Sequence, residues 1–105
     1  MNDAEGIKAA IVRSEDRIRA KPAIGRLTKS STARIRGDLT CEIEDESWKL
    51  TADMRKSLGG GNQGPDPGVF DRAAISNCLA IGYAVWFARM DIPLNAIDVE
   101  ISADF

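Results

Sequence analysis

The N-terminal segment carries a helical pattern of apolar positions. Between residues 2 and 20, apolar side chains recur every three or four residues, which is the spacing of one helix face. The stripe consists of Ile7, Ala10, Ile11 and Ile18. Asn2 or Asp3 can cap this helix, and Pro22 ends it. We therefore predict a helical arm over residues 1–22, whose thin stripe suits a peripheral or partner-contacting position.

From about Ser31 the apolar period shortens to two, as in a half-buried strand. Two alternating runs, at residues 39–44 and 48–54, are separated by the turn-forming residues 45–47. This arrangement predicts a β-hairpin. An earlier run at residues 33–36 is expected to extend the first strand through a bend.

The inward positions of the hairpin define a predicted core face. Its members are Leu39, Cys41, Ile43, Trp48, Leu50, Ala52 and Met54. We expect Trp48 to close this face near Ile43, because large aromatic side chains pack well across paired strands. Cys41 is interpreted as a small buried hydrophobe within it.

A helix-breaking segment separates the hairpin from the most apolar part of the chain. Residues 58–67 read LGGGNQGPDP, and their spacing fits neither the P-loop nor the dinucleotide fingerprint, so phosphate binding is not expected. Asp66 can cap a helix whose first residue is Pro67 and which runs to about Arg89. Residues 73–87 are apolar nearly all round, so we expect the helix to be buried on most sides.

A third alternating run ends the chain. Pro93 follows the helix, and residues 97–105 alternate apolar and polar side chains, which predicts another strand. The fold class expected from these elements is α+β, with an antiparallel sheet packed on a long central helix.

Composition narrows the kinds of chemistry. With 105 residues the chain is expected to form one main domain, 23–105, behind the arm. It has no histidine, which excludes Cys–His and Ser–His pairs and imidazole metal sites, so we expect no metal or cofactor. The N-terminal residues contain no apolar run, so we expect no signal peptide, and no apolar run reaches membrane length. The two cysteines suit free thiols in a reducing compartment. We therefore expect a cytoplasmic protein that does not associate with membranes.

Charge is unevenly distributed along the chain. Residues 1–36 carry nine Lys or Arg against four Asp or Glu, whereas residues 37–105 carry five against twelve. A basic arm could bind nucleic acid, but it contains no aromatic residue and no binding motif. We expect the two halves to attract each other, within one chain or across a dimer, and expect no nucleic-acid partner.

Cys78 is the main candidate for chemistry. On periodicity alone it is an inert core cysteine, because apolar burial raises the pKa of a thiol. It lies eleven residues beyond Pro67, too far for the helix dipole to activate it, so a reactive thiolate needs a cation from elsewhere in the fold. The candidate cations are Arg34, Arg36 and Arg72. Asp71 could orient such an arginine.

Three features with fixed spacing point to a known family. They are LGG at residues 58–60, GPDP at residues 64–67, and the helix FDRAAISNCLAIGYA at residues 70–84, in which Cys78 follows Pro67 by eleven residues. This order resembles the OsmC/Ohr family of cysteine-based, peroxide-handling proteins, in which a similar loop leads to a central-helix cysteine at the same spacing. The likeness covers residues 33–105 and leaves residues 1–20 outside it.

The resemblance implies an intertwined homodimer with active sites at the subunit interface. It implies a peroxiredoxin-like thiol peroxidase that reduces hydroperoxides in oxidative-stress defence, with a thiol or dithiol reductant closing the cycle. Cys78 then corresponds to the peroxidatic cysteine, and Arg36 to the arginine that stabilises its thiolate.

The sequence departs from the family pattern at several points. The hydroperoxide-resistance branch has a glutamate directly after the loop proline, where this chain has Gly68, and Asp71 is the candidate substitute. Cys41 does not match the family's second cysteine, and the family fold continues beyond Phe105, so we expect the chain to lack its C-terminal part. The alternative function is therefore a non-catalytic dimer or a binder of small apolar ligands that has lost the peroxidase network.

Overall fold

The computed structural model describes residues 3–105 and is α+β, with two α-helices and one three-stranded antiparallel sheet. The residues fall into two compact units. One unit joins the N-terminal segment up to Leu27 with Ile75–Phe105, and the other is Thr28–Ala74. The expected α+β class is confirmed. The division into an arm at 1–22 and a domain at 23–105 stays a prediction.

Helix α1 spans Ala4–Ala20 and begins as predicted. The Asp3 carboxylate accepts a hydrogen bond of 2.7 Å from the Gly6 backbone N–H, which satisfies a donor that the first helical turn leaves unpaired. Asn2, the other candidate cap, lies outside the described residues. A short 3₁₀ turn at Pro22–Gly25 follows the helix.

The sheet consists of β1 at Ser31–Ile35, β2 at Cys41–Asp45 and β3 at Trp48–Ala52, in that order. β2 and β3 form the predicted hairpin around a two-residue turn. The expectation that the run at 33–36 extends the first strand was wrong. β1 is a separate strand that pairs antiparallel with β2, because the chain reverses at Gly37, whose φ of 92° favours glycine.

Strand register places the apolar side chains on one face of the sheet. Ile35 lies opposite Cys41, and Ile43 lies opposite Leu50. Trp48 shares this face but is 70% exposed, so the prediction that it closes the core was wrong. Its partner is Asp45 at the turn end of the ladder. The helix residues that line the face lie beside Cys41 and Ala52, at the other end.

Helix α2 spans Pro67–Arg89, as predicted. The Val69 backbone N–H donates to the Asp66 side chain at 3.1 Å, which confirms the cap. The expectation that α2 is buried on most sides was wrong for the single chain: Ala88 is its one buried residue, and Cys78 is exposed. A helix of 23 residues is about 34 Å long, whereas five-residue strands reach only about 17 Å, so one such sheet cannot enclose it.

Residues 92–105 form no strand, which corrects the prediction of a strand at 97–105. The alternation is still visible, since Ile97, Val99 and Ile101 are half-buried while the residues between them are exposed. This segment has no neighbouring strand to complete its backbone hydrogen bonds, and alternation alone does not make a sheet.

Within the unit that contains α1, ion pairs connect α1 to the C-terminal end of α2 and to the turn after it. Lys8 Nζ lies 2.8 Å from Asp91 Oδ2, and Arg89 Nη1 lies 2.5 Å from Glu15 Oε1. The Arg89 guanidinium also stacks 4.8 Å from the centre of the Trp86 ring. No described helix is long and apolar enough to cross a membrane.

The glycine-rich segment forms a loop that lies against the end of β3. A 3₁₀ turn at Lys56–Leu58 leads into it, and residues 59–66 form neither helix nor strand, as predicted. A Cβ added at Gly60 would lie 2.0 Å from the Met54 carbonyl oxygen, and one at Gly64 would lie 2.3 Å from that of Thr51. These two glycines therefore allow backbone to pack on backbone.

We expect Gly60→Ala and Gly64→Ala each to lower the free energy of unfolding by about 1–3 kcal/mol, because the added methyl group displaces the loop from β3. Urea denaturation followed by circular dichroism measures this change. Gly68→Ala is the matched control, since its Cβ would meet the flexible end of Arg72 at 3.1 Å. A control loss equal to the loop losses would contradict the backbone-contact explanation.

Candidate functional site

Asp53 is the buried charged residue of the described chain, with 2% of its surface exposed. Its carboxylate accepts hydrogen bonds from the backbone N–H groups of Met54 at 2.7 Å, Gln63 at 3.1 Å and Gly61 at 3.2 Å. The Thr40 hydroxyl donates a further bond of 3.1 Å. One side chain thus joins three separate segments of the Thr28–Ala74 unit.

The backbone on either side of Asp53 completes the attachment of the loop. The Asp53 N–H donates to the Pro65 carbonyl at 3.0 Å, and the Asn62 N–H donates to the Met54 carbonyl at 3.0 Å. The loop therefore adds onto the end of β3 through main-chain bonds at both its middle and its end. Asp66 and Pro67, which begin α2, follow directly.

The environment of Asp53 favours its ionised form. Burial by itself raises the pKa of the carboxyl group, but the hydrogen bonds from Met54, Gln63, Gly61 and Thr40 stabilise the anion and together hold the pKa below its usual value. A carboxyl group whose pKa is lower in the folded chain than in the unfolded chain stabilises the fold above the unfolded pKa. That contribution is lost as the pH falls from about 4 through the lower folded pKa.

An apolar pocket of about 400 Å³ adjoins this cluster. It is lined by Ile35, Leu39, Cys41, Ile43, Ala52, Asp53, Met54, Pro67 and Phe70. All of these residues belong to the Thr28–Ala74 unit. Because the Asp53 carboxylate already accepts from several donors, the pocket offers a ligand mainly hydrocarbon surface and the half-buried Cys41 thiol.

Cys78 occupies the middle of α2 with its side chain exposed, and both cysteines are free thiols. The described residues provide no hydrogen bond or ion pair to its sulfur. Asp71 is also exposed and lies on the same helix seven residues earlier, so the two share a face about 10 Å apart along the axis. Asp71 and Cys78 therefore lie on the same helix but are too far apart along it for their side chains to touch.

The predicted arginine lies elsewhere in the chain. Arg36 is exposed in the connection after β1, within the Thr28–Ala74 unit, whereas Cys78 belongs to the other unit. Among the other candidate cations, Arg34 pairs with Glu44 at 3.8 Å, and the Arg72 guanidinium extends back to Gly68. Within residues 3–105, no cluster of three or more Cys, Asp or Glu side chains could hold a metal ion.

Sequence reasoning missed Asp53 by treating it as an outward polar position of β3. The strand ends at Ala52, and the glycine-rich loop covers Asp53, so a side chain expected in solvent is buried. A usable signal was present: a carboxylate directly after the last apolar strand position, followed within ten residues by several glycine N–H groups. Unhindered backbone donors and a nearby carboxylate favour such a cluster.

Comparison with models of protein families gives no match, and comparison with curated proteins gives no match. The resemblance to the OsmC/Ohr family therefore rests on the spacing of the loop motifs and Cys78.

Proposed function

We propose that the chain is an OsmC-like thiol peroxidase in which Cys78 reduces hydroperoxides. The observation that carries this proposal is the exposed thiol of Cys78, placed eleven residues after Pro67 behind the glycine-rich loop. A peroxidatic thiol must be reached by its substrate, and an exposed position meets this requirement where a buried core cysteine would not.

The reaction assigned to Cys78 is a two-electron oxidation of sulfur. The thiolate attacks the terminal oxygen of the hydroperoxide, an S–O bond forms as the O–O bond breaks, and the leaving alkoxide takes up a proton to become an alcohol. The resulting sulfenic acid condenses with an external thiol to form a mixed disulfide and water, and a second thiol then displaces the Cys78 thiolate and leaves as the oxidised disulfide of the reductant. A reducing cytoplasm supplies such thiols.

A homodimer is part of this proposal because the resemblance to the OsmC/Ohr family implies one. Exposed apolar side chains on α2 support a second copy as the partner. They are Ile75, Leu79, Tyr83 and Trp86, each at least 41% exposed. Arg36 remains the proposed activating cation and Asp71 its proposed orienting carboxylate, with either subunit supplying them.

Dimedone labelling after peroxide treatment tests the peroxidase proposal. With one equivalent of cumene hydroperoxide, we expect the dimedone mass addition on Cys78 and its loss in Cys78→Ser. Arg36→Ala should slow labelling by about tenfold or more, because the attacking thiolate loses the cation that stabilises its charge. Arg34→Ala is the matched control and should label at the wild-type rate. An unlabelled Cys78 sinks the peroxidase proposal, and equal rates in the two arginine variants refute the role of Arg36.

Binding of small apolar molecules is a second candidate function, favoured by the pocket beside β2. Its volume of about 400 Å³ and its hydrocarbon lining suit a ligand of the size of a substituted benzene. It does not require chemistry at either cysteine.

Cumyl alcohol, which lacks a peroxide bond, tests this second candidate. Titration should shift the NMR signals of Ile43 and Phe70, and Ile43→Ser should weaken binding by about tenfold because it places a hydroxyl group in the apolar wall. Ile81→Ser, on exposed helix surface, is the control. Shifts spread over the whole chain, or equal affinities in the two variants, would contradict a pocket-specific ligand.

A further inference from the structure

Besides its bonds to the Asp53 carboxylate, the glycine-rich loop is held to the end of β3 by three main-chain hydrogen bonds: Asp53 N–H to the Pro65 carbonyl, Asn62 N–H to the Met54 carbonyl, and Gly60 N–H to the Arg55 carbonyl. Its residues 59–65 are four glycines with Asn62, Gln63 and Pro65, so the loop brings almost no apolar side chain to bury. The Gln63 side chain donates to the Gly61 carbonyl at 2.9 Å, which organises the loop internally but does not tie it to the sheet. Glycine also gains more backbone freedom on release than any other residue.

The hydrogen bonds to Asp53 require that both oxygens of its side chain act as acceptors, as they do in the ionised carboxylate. Its two oxygens receive the N–H groups of Met54, Gly61 and Gln63 and the Thr40 hydroxyl. A protonated carboxyl group becomes a donor at one oxygen and weakens as an acceptor. Backbone N–H groups that lose their partner inside the fold are costly, so the loop amides would turn to water instead.

The loop continues into the wall of the apolar pocket. Pro65 leads through Asp66 into Pro67, and Pro67 and Phe70 line the pocket together with the sheet residues Cys41 and Ile43. Within the Thr28–Ala74 unit, a loop that leaves β3 therefore removes the support of this wall.

We propose that the Asp53 carboxylate is an acid-sensitive latch: when it takes up a proton, the loop at residues 59–65 leaves β3 and the wall formed by Pro67 and Phe70 moves away from the sheet. The latch operates on the fold of this unit and does not depend on peroxidase activity.

Three other charged residues lie near the loop in the sequence, and each could in principle respond to pH or neighbouring charge. Asp38 lies on the β1–β2 connection that carries Thr40, Arg55 follows β3, and Asp66 precedes α2. The Asp38 carboxylate accepts from the Thr40 backbone N–H at 2.9 Å, and Asp66 caps α2, so both are engaged in local turns. The loop itself contains no titratable side chain. Asp53 is therefore the group whose protonation acts directly on the loop amides.

Amide hydrogen exchange of the wild-type chain tests the latch without any substitution. As the pH is lowered from 7 to below 4, the protection factors of Gly61 and Gln63 should fall by about tenfold or more, the equivalent of one lost hydrogen bond to a charged group. The Ile43 amide in β2 should keep its protection over the same range. If Gly61 and Gln63 stay protected until Ile43 also exchanges, Asp53 is not a latch and the loop melts only with the sheet.

Alkylation of Cys41 measures the opening of the pocket wall at neutral pH. In a Cys78→Ser background, Asp53→Asn should raise the rate of Cys41 modification by N-ethylmaleimide about tenfold, because Asn cannot accept all the bonds that the carboxylate accepts. Glu42→Gln removes an exposed charge from the same unit and should leave the rate unchanged. Equal rates in the two variants would overturn the link between Asp53 and the wall. If the Asp53 variant does not fold, the wild-type exchange experiment decides.

Discussion

The ionised carboxylate of Asp53 is the interaction on which the Thr28–Ala74 unit depends. It receives donors from the β1–β2 connection, from the residue after β3 and from the glycine-rich loop, and it does so while almost wholly removed from water. A buried charge is costly unless several hydrogen bonds compensate it. The three segments are therefore held in one arrangement, since displacing any of them removes a hydrogen bond from the buried charge.

The glycines make this arrangement sterically possible. Gly60 and Gly64 bring the loop backbone against the carbonyl groups of Met54 and Thr51, and only this close approach brings the Gly61 and Gln63 amides to the carboxylate. The motif that resembles the OsmC/Ohr family thus has a structural explanation in this chain. It ties the sheet to the start of α2, and so fixes where the helix that carries Cys78 begins.

Local signals predicted the elements with caps, turns and strong periodicity. Asp3 and Asp66 cap helices where expected, and the hairpin forms around its predicted turn, because these features depend on neighbours within a few residues. The predictions that failed concern burial and pairing by residues distant in the sequence. Burial of Cys78, the inward packing of Trp48 and a strand at residues 97–105 each required a neighbour that the single chain does not place there. Asp53 was missed for the converse reason, since a loop distant from the strand pattern buries it.

The ionisation of Asp53 is measured most directly by following its carboxyl carbon, ¹³Cγ, by NMR as a function of pH. The pKa of an ordinary aspartate side chain is about 3.9. A carboxylate that holds the glycine-rich loop through backbone donors must titrate below that value, and the loop amides of Gly61 and Gln63 must shift with the same midpoint. A ¹³Cγ midpoint at or above the ordinary value, or loop amides that do not respond to it, would contradict the central role of Asp53.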